Sequence, residues 1–149
     1  MNPANWLTLQ RSVRFSDTDA AGVVHFQALL GWSHQAWEES LERYGLAAGT
    51  IFPGGRDETP AVALPIVHCE ADFRAPLQMG DVMSIVLEPK RLDRGSFEVV
   101  SRFLLDDHEV ARACLRHVAI DTTVRRRCAL PDGLERWLEA SCLGQITHL

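Results

Sequence analysis

The chain changes its hydrophobic period once, and abruptly. Leu7, Leu9, Val13 and Phe15 alternate with Thr8, Gln10, Ser12 and Arg14, which is the two-residue period of a half-buried strand. From about Val24 the recurrence becomes helical, with Phe26, Leu29, Leu30, Trp37, Leu41 and Tyr44 on one stripe. This predicts a single amphipathic helix of about five turns, stopped at Gly45. Four strand-like runs follow, at 61–73, 81–92, 95–105 and 109–121, separated by APLQMGD, LDRG and LDDHE. Such short connections join antiparallel neighbours. A last helical segment near 132–142 begins after Pro131, with Asp132 as its candidate cap. One strand, one long helix and four more strands make an α+β order, in which an antiparallel sheet curls around a central helix.

With 149 residues, 46% hydrophobic and 23% charged, the chain suits one domain spanning 1–149. Residues 28–37 are apolar on most sides, so the front of the helix should be wrapped by other structure. Gly31 within it costs about 1 kcal/mol against alanine, and close approach of another backbone would explain its use. The dense Gly/Pro stretch at 49–60 should be a loop. A net charge of −5 argues against a nucleic-acid footprint, while leaving room for a basic patch that holds one anionic ligand. The start, MNPANWLTLQRSVRF, lacks a secretory pattern and no 18-residue apolar run occurs, so a cytoplasmic protein without membrane insertion is expected. Cys69, Cys114, Cys128 and Cys142 form no C-x-x-C pair and read as ordinary thiols. A single sheet covering one helix leaves edges in need of partners, so a homodimer at least is expected, and a homotetramer fits as well.

Chemistry concentrates in FSDTDAAGVVHF, residues 15–26, where Asp17 and Asp19 precede a glycine turn and the helix. A calcium loop fails because its fifth and twelfth positions would be Ala21 and Ala28. An aspartyl phosphatase wants a buried parallel strand, whereas the downstream chain reads as antiparallel. A third reading uses the helix start: backbone N–H groups near His25 and Phe26 lack intrahelical partners and carry the positive end of the dipole. A thioester carbonyl docked there would be polarised, and a carboxylate from the turn could attack it or activate water. Asp17 also fits as a simple turn or capping residue. His25, His34 and His68 show no metal-ligand spacing, so no metal is expected. Trp32 and Trp37 read as packing residues.

RFSDTDAAGVVHFQALLGW and PIVHCEADFRAPLQMGD resemble the two signatures of the hotdog-fold thioesterases of the 4-hydroxybenzoyl-CoA type, over residues 7 to about 123. Val13 to Tyr44 is most similar to the cyanobacterial 1,4-dihydroxy-2-naphthoyl-CoA hydrolases of phylloquinone (vitamin K1) biosynthesis. The resemblance implies a hotdog fold, hydrolysis of an aromatic acyl-CoA without metal or added cofactor, coenzyme A entering as part of the substrate, and active sites between subunits. It makes Asp19 the catalytic carboxylate and the Phe26 N–H the oxyanion donor, with His25 and His34 near the acyl group. Lys90, Arg91 and Arg94 match the stretch that holds the CoA phosphates, although Asp93 and Gly95 depart from the family's denser basic run. Arg125, Arg126 and Arg127 are an alternative clamp. A 4-hydroxybenzoyl-CoA or short-chain acyl-CoA thioesterase is the alternative enzyme, and a non-catalytic acyl-binding protein the alternative outside catalysis.

Overall fold

A computed structural model describes residues 2–52 and 59–142. Helix α1 (Ala4–Leu7) leads into β1 (Thr8–Ser12), and a 3-10 turn at Phe15–Asp17 precedes the long helix α2 (Phe26–Tyr44) and the one-turn α3 (Ala48–Ile51). Then follow β2 (Val62–Ala63), β3 (Ile66–Phe73), β4 (Val82–Asp93), β5 (Ser96–Leu105), β6 (His108–Val118), β7 (Ile120–Asp121) and helix α4 (Asp132–Cys142). Five strands form one antiparallel sheet in the order β1-β4-β5-β6-β3, and β2 pairs separately with β7. The expected α+β order is therefore the observed one.

Alternation along β4 and β5 explains how the sheet holds the helix. Met83, Ile85 and Leu87 on β4, with Phe97, Val99 and Phe103 on β5, point inward and are buried. From α2 they meet Leu29, Trp32, Ala36, Trp37 and Leu41, all buried. Covering each of these large side chains stabilises the fold by roughly 1.5–3 kcal/mol. The far side of this core is closed by Leu134, Trp137 and Leu138 of α4, where the Trp137 Nε1–H donates to Ser40 Oγ at 3.1 Å.

Several boundaries differ from the sequence expectation, each for a local reason. The first strand is shorter than its alternation suggested: Leu7 closes α1, and Phe15 lies 77% exposed. The Asp17 carboxylate takes the Arg14 N–H at 2.8 Å and turns the chain out of the sheet. The runs 61–73 and 109–121 each divide, around Pro65 and Ala119, so their ends pair as the small β2–β7 sheet. Proline has no N–H to offer a ladder. Asp132 is the first residue of α4 rather than its cap, because the Glu135 N–H bonds the Pro131 carbonyl at 3.0 Å. The 49–60 loop opens with α3, and 53–58 of it lies outside the described residues.

Helix α2 is not wrapped all round within one chain. His34 and Gln35 are exposed, Ala28 and Gly31 half-buried. A methyl group built on Gly31 would meet nothing within 4 Å, so among the described residues the expected close backbone approach is absent. The helix stops at Gly45, whose φ of 112° lets its N–H reach the carbonyls of Leu41 and Glu42 at 3.2 and 3.0 Å.

Candidate active site

The acid turn is built from short-range hydrogen bonds. The Asp19 N–H donates to the Val23 carbonyl and the Gly22 N–H to the Asp19 carbonyl, both at 2.9 Å. Gly22 at φ 79° makes the reversal that only glycine adopts at low cost. Thr18 then bridges Val24, which lays the turn against the start of α2. Asp19 is exposed; its Oδ1 accepts the Ala21 N–H at 2.8 Å and Oδ2 takes no bond among the described residues. Asp17, by contrast, is a turn residue, bonded through its carboxylate to Arg14 and through its carbonyl to the His25 N–H at 3.3 Å.

At the helix start the N–H count changes. The sequence suggested free N–H groups near both His25 and Phe26, but that of His25 is spent on Asp17. His25 is the N-cap, and its Nδ1 accepts the Ala28 N–H at 3.2 Å. The N–H groups of Phe26 and Gln27 have no acceptor among the described residues. They point outward at the positive end of a 19-residue helix. Beside the turn, Phe15 and Met79 line a hollow with Asp19 and Gly22, and Phe26 packs on Phe73; Phe15, Phe26 and Met79 are each more than half exposed. Such an exposed apolar cluster beside a carboxylate suits a ligand or a partner surface.

His34 lies elsewhere. With Trp37, Phe52, Leu64, Ile120 and Arg125 it lines an apolar cavity of about 460 Å³ near the start of β3, where Ile66 pairs with His117. The acid turn sits at the opposite end, where the Phe26 and Phe73 rings are 4.9 Å apart. The two lie toward opposite ends of β3, whose eight residues span about 23 Å. Sequence reading missed this cavity because its walls come from four separate segments. His117, buried behind it, was invisible for the same reason.

The two basic stretches, alternatives in the sequence, are neighbours in space. Ala119 N–H to Gly95 carbonyl at 2.8 Å and Leu130 N–H to Arg94 carbonyl at 3.0 Å clip the 121–128 loop onto the β4–β5 turn. A methyl on Gly95 would collide with the Cys128 carbonyl at 2.4 Å, so the glycine is required there. Arg91 is paired with Glu135 at 2.7 Å and Arg127 with Asp93 at 3.5 Å. The Gly95 N–H, then Ser96 and Arg127, hold the Asp93 carboxyl below its usual range. Lys90, Arg94, Arg125 and Arg126 are exposed and have no carboxylate partner among the described residues. Among those residues, too, no group of three or more His, Cys, Asp or Glu side chains is placed to hold a metal ion.

Comparison with known proteins bears on this arrangement. The family model described as Thioesterase-like superfamily matches residues 13–138. A protein of Synechococcus sp. (strain CC9605) named 1,4-dihydroxy-2-naphthoyl-CoA hydrolase is 69% identical over 149 residues, covering 100% of both chains. A solved structure from Prochlorococcus marinus, 56% identical, superposes with a TM-score of 0.91 over 95% of this chain and 99% of that one. The crystal structure of a 1,4-dihydroxy-2-naphthoyl-CoA thioesterase from Synechocystis gives a TM-score of 0.79 at 30% identity, covering 89% and 94%.

Proposed function

The chain belongs to the thioesterase-like superfamily, with a hotdog fold, and from that premise we propose that it hydrolyses 1,4-dihydroxy-2-naphthoyl-CoA to the free acid and coenzyme A, a step of phylloquinone biosynthesis. The observation that carries the reading is the Asp19 carboxylate, open at Oδ2, bonded into a turn that rests on the unpartnered N–H groups of Phe26 and Gln27. Those donors suit the thioester oxygen, which gains negative charge as the carbonyl carbon becomes tetrahedral. Asp19 either adds to that carbon or takes a proton from the water that does. Collapse breaks the C–S bond, and the CoA thiolate leaves with a proton from solvent. If Asp19 is the nucleophile, water then cleaves the mixed anhydride and restores the carboxylate. No metal or further cofactor takes part.

The site is shared between two copies of the chain. Among the described residues the outer edge of β3 is unpaired, and it carries exposed Ile66, Val67 and Cys69, a template for a second strand. Pairing two β3 edges antiparallel about a two-fold axis exchanges the sheet's ends. The partner's cavity and arginine patch then face this chain's Asp19, whereas the chain's own cavity and patch lie toward the other end of its sheet. His34 of the partner would line the acyl pocket, and Lys90, Arg94, Arg125 and Arg126 would meet the phosphates, with Arg91 joining them if Glu135 releases it. His25 acts by shaping the helix start. A homodimer is the minimum unit, two dimers make a tetramer, and the compartment is the cytoplasm. No helix of the described residues is long and apolar enough to cross a membrane.

Thiol release from dihydroxynaphthoyl-CoA, hydroxybenzoyl-CoA and acetyl-CoA, each with wild type beside Asp19→Asn, tests the reading. A preference for the naphthoyl ester that vanishes in the variant is expected. Equal slow rates for all three esters would overturn the substrate, and an active Asp19→Asn would overturn the mechanism.

A further inference from the structure

His117 is wholly buried on the inward face of β6 and takes no part in the hydrolysis itself. Its Nδ1 lies 2.9 Å from the Leu64 carbonyl oxygen. A carbonyl only accepts, so Nδ1 carries the proton and Nε2 is a bare lone pair. That lone pair is buried without a partner among the described residues, as is the Nε1–H of Trp37, whose ring centroid lies 4.5 Å away. A buried polar atom left unpaired is costly, so its retention calls for an explanation.

A use is visible in what His117 touches. Leu64 stands between the small sheet and β3, outside both ladders, next to Pro65, which has no N–H. The imidazole therefore fixes a carbonyl that no strand neighbour holds. Its ring lies flat on Phe97, at 4.9 Å and 6°, and against Trp37. Trp37 in turn lies nearly parallel to His34 at the cavity rim, 5.9 Å away at 11°. Leu64 and Trp37 are both walls of the cavity.

We propose that His117 is a positioning residue for the acyl group, holding the Leu64 backbone and the Trp37 ring at the spacing that admits a flat, bicyclic, hydroxylated aryl group. The proposal rests on the cavity being the acyl pocket of the proposed thioesterase. Burial supports it by pushing the His117 pKa down to about 4, so the ring stays neutral and Nδ1–H stays on Leu64 at neutral pH.

Two variants separate the parts. His117→Phe keeps an aromatic stack and loses the bond, whereas His117→Asn offers an N–H near the Nδ1 position and loses the stack. With dihydroxynaphthoyl-CoA, His117→Phe should raise KM about 5–10-fold with kcat little changed. KM for acetyl-CoA should hold, and His117→Asn, which restores only the bond to Leu64, should recover part of the loss. Equal KM shifts for both esters, or no recovery with asparagine, would show a merely structural role. Should His117→Phe fail to fold, the wild-type imidazole ¹⁵N signals, read with a non-hydrolysable naphthoyl-CoA thioether, give the answer. Movement of the His117 signals supports the proposal and unmoved signals overturn it. If wild type binds the thioether in the cavity but cleaves no naphthoyl ester, the hydrolase reading fails while the positioning role stands.

Discussion

The Asp17 carboxylate accepts the Arg14 N–H and is occupied with closing the turn, while Asp19 keeps Oδ2 open on an exposed edge. Substitution should separate them. Asp19→Asn retains an oxygen for the Ala21 N–H, so its melting temperature should match wild type while kcat falls at least about 10²-fold. Asp17→Ala should lower stability by about 0.5–2 kcal/mol and leave measurable turnover, checked by urea unfolding beside the thiol assay. His117 gives the pH signature at this scale. Its folded pKa of about 4 lies below the ordinary 6.5, so the unfolded chain binds the extra proton between those values. Stability is then fully present above about 6.5 and is lost as pH falls toward 4, by on the order of 3 kcal/mol at most. Its close ring neighbours are Phe97, Trp37 and His34, and only His34 among them titrates. Denaturation curves from pH 7 to pH 4 should show this slope in wild type and a shallower one in His117→Phe.

Helix α2 contains one glycine inside it and one at its end, and their φ values and surroundings predict opposite effects. Gly31 has open space where a methyl would go, so Gly31→Ala should raise helix stability by up to about 1 kcal/mol, or roughly 2–4 °C in melting temperature. Gly45 at φ 112° has open space too, but its backbone is one that L residues rarely adopt, so Gly45→Ala should destabilise by about 1 kcal/mol. Differential scanning of both variants checks the signs. A fall with Gly31→Ala would mean that something outside this chain occupies the space. Elements were also the most legible level of the sequence. The change of period marked α2 to within two residues and turn signals separated β4, β5 and β6, because those depend on neighbours a few positions away. Phe15 misled the reading because alternation continued after a side-chain hydrogen bond had already turned the chain. The His25 cap was equally hidden, since imidazole at that position competes with more familiar capping residues.

At the scale of the molecule, what stayed illegible was which groups meet. The arginine stretches at 90–94 and 125–127 are more than thirty positions apart in sequence and are joined by the backbone clips at Gly95 and Arg94 and by the Arg127–Asp93 ion pair. The cavity behind His34 needs the offset between β2–β7 and β3–β6, a register that no local pattern encodes. In contrast, the sheet's geometry carries its own requirement: acid turn and arginine patch lie toward opposite ends of one chain, and in the proposed reaction one acyl-CoA would reach both. Subunit mixing tests whether two chains meet that need. An Asp19→Asn protomer has intact arginines, and an Arg94→Glu, Arg125→Glu, Arg126→Glu protomer has an intact acid, so each homodimer should hydrolyse poorly at low substrate. In a mixed dimer one site takes Asp19 from the second chain and arginines from the first, while the other site takes neither. Random exchange of equal amounts makes half the dimers mixed, so kcat/KM should recover to about a quarter of wild type. Val67→Lys on the open β3 edge should abolish the recovery by separating the chains, with size-exclusion chromatography reporting the monomer. Mixing that restores nothing, in dimers shown to have exchanged, would place acid and phosphates on the same chain and remove the two-fold argument.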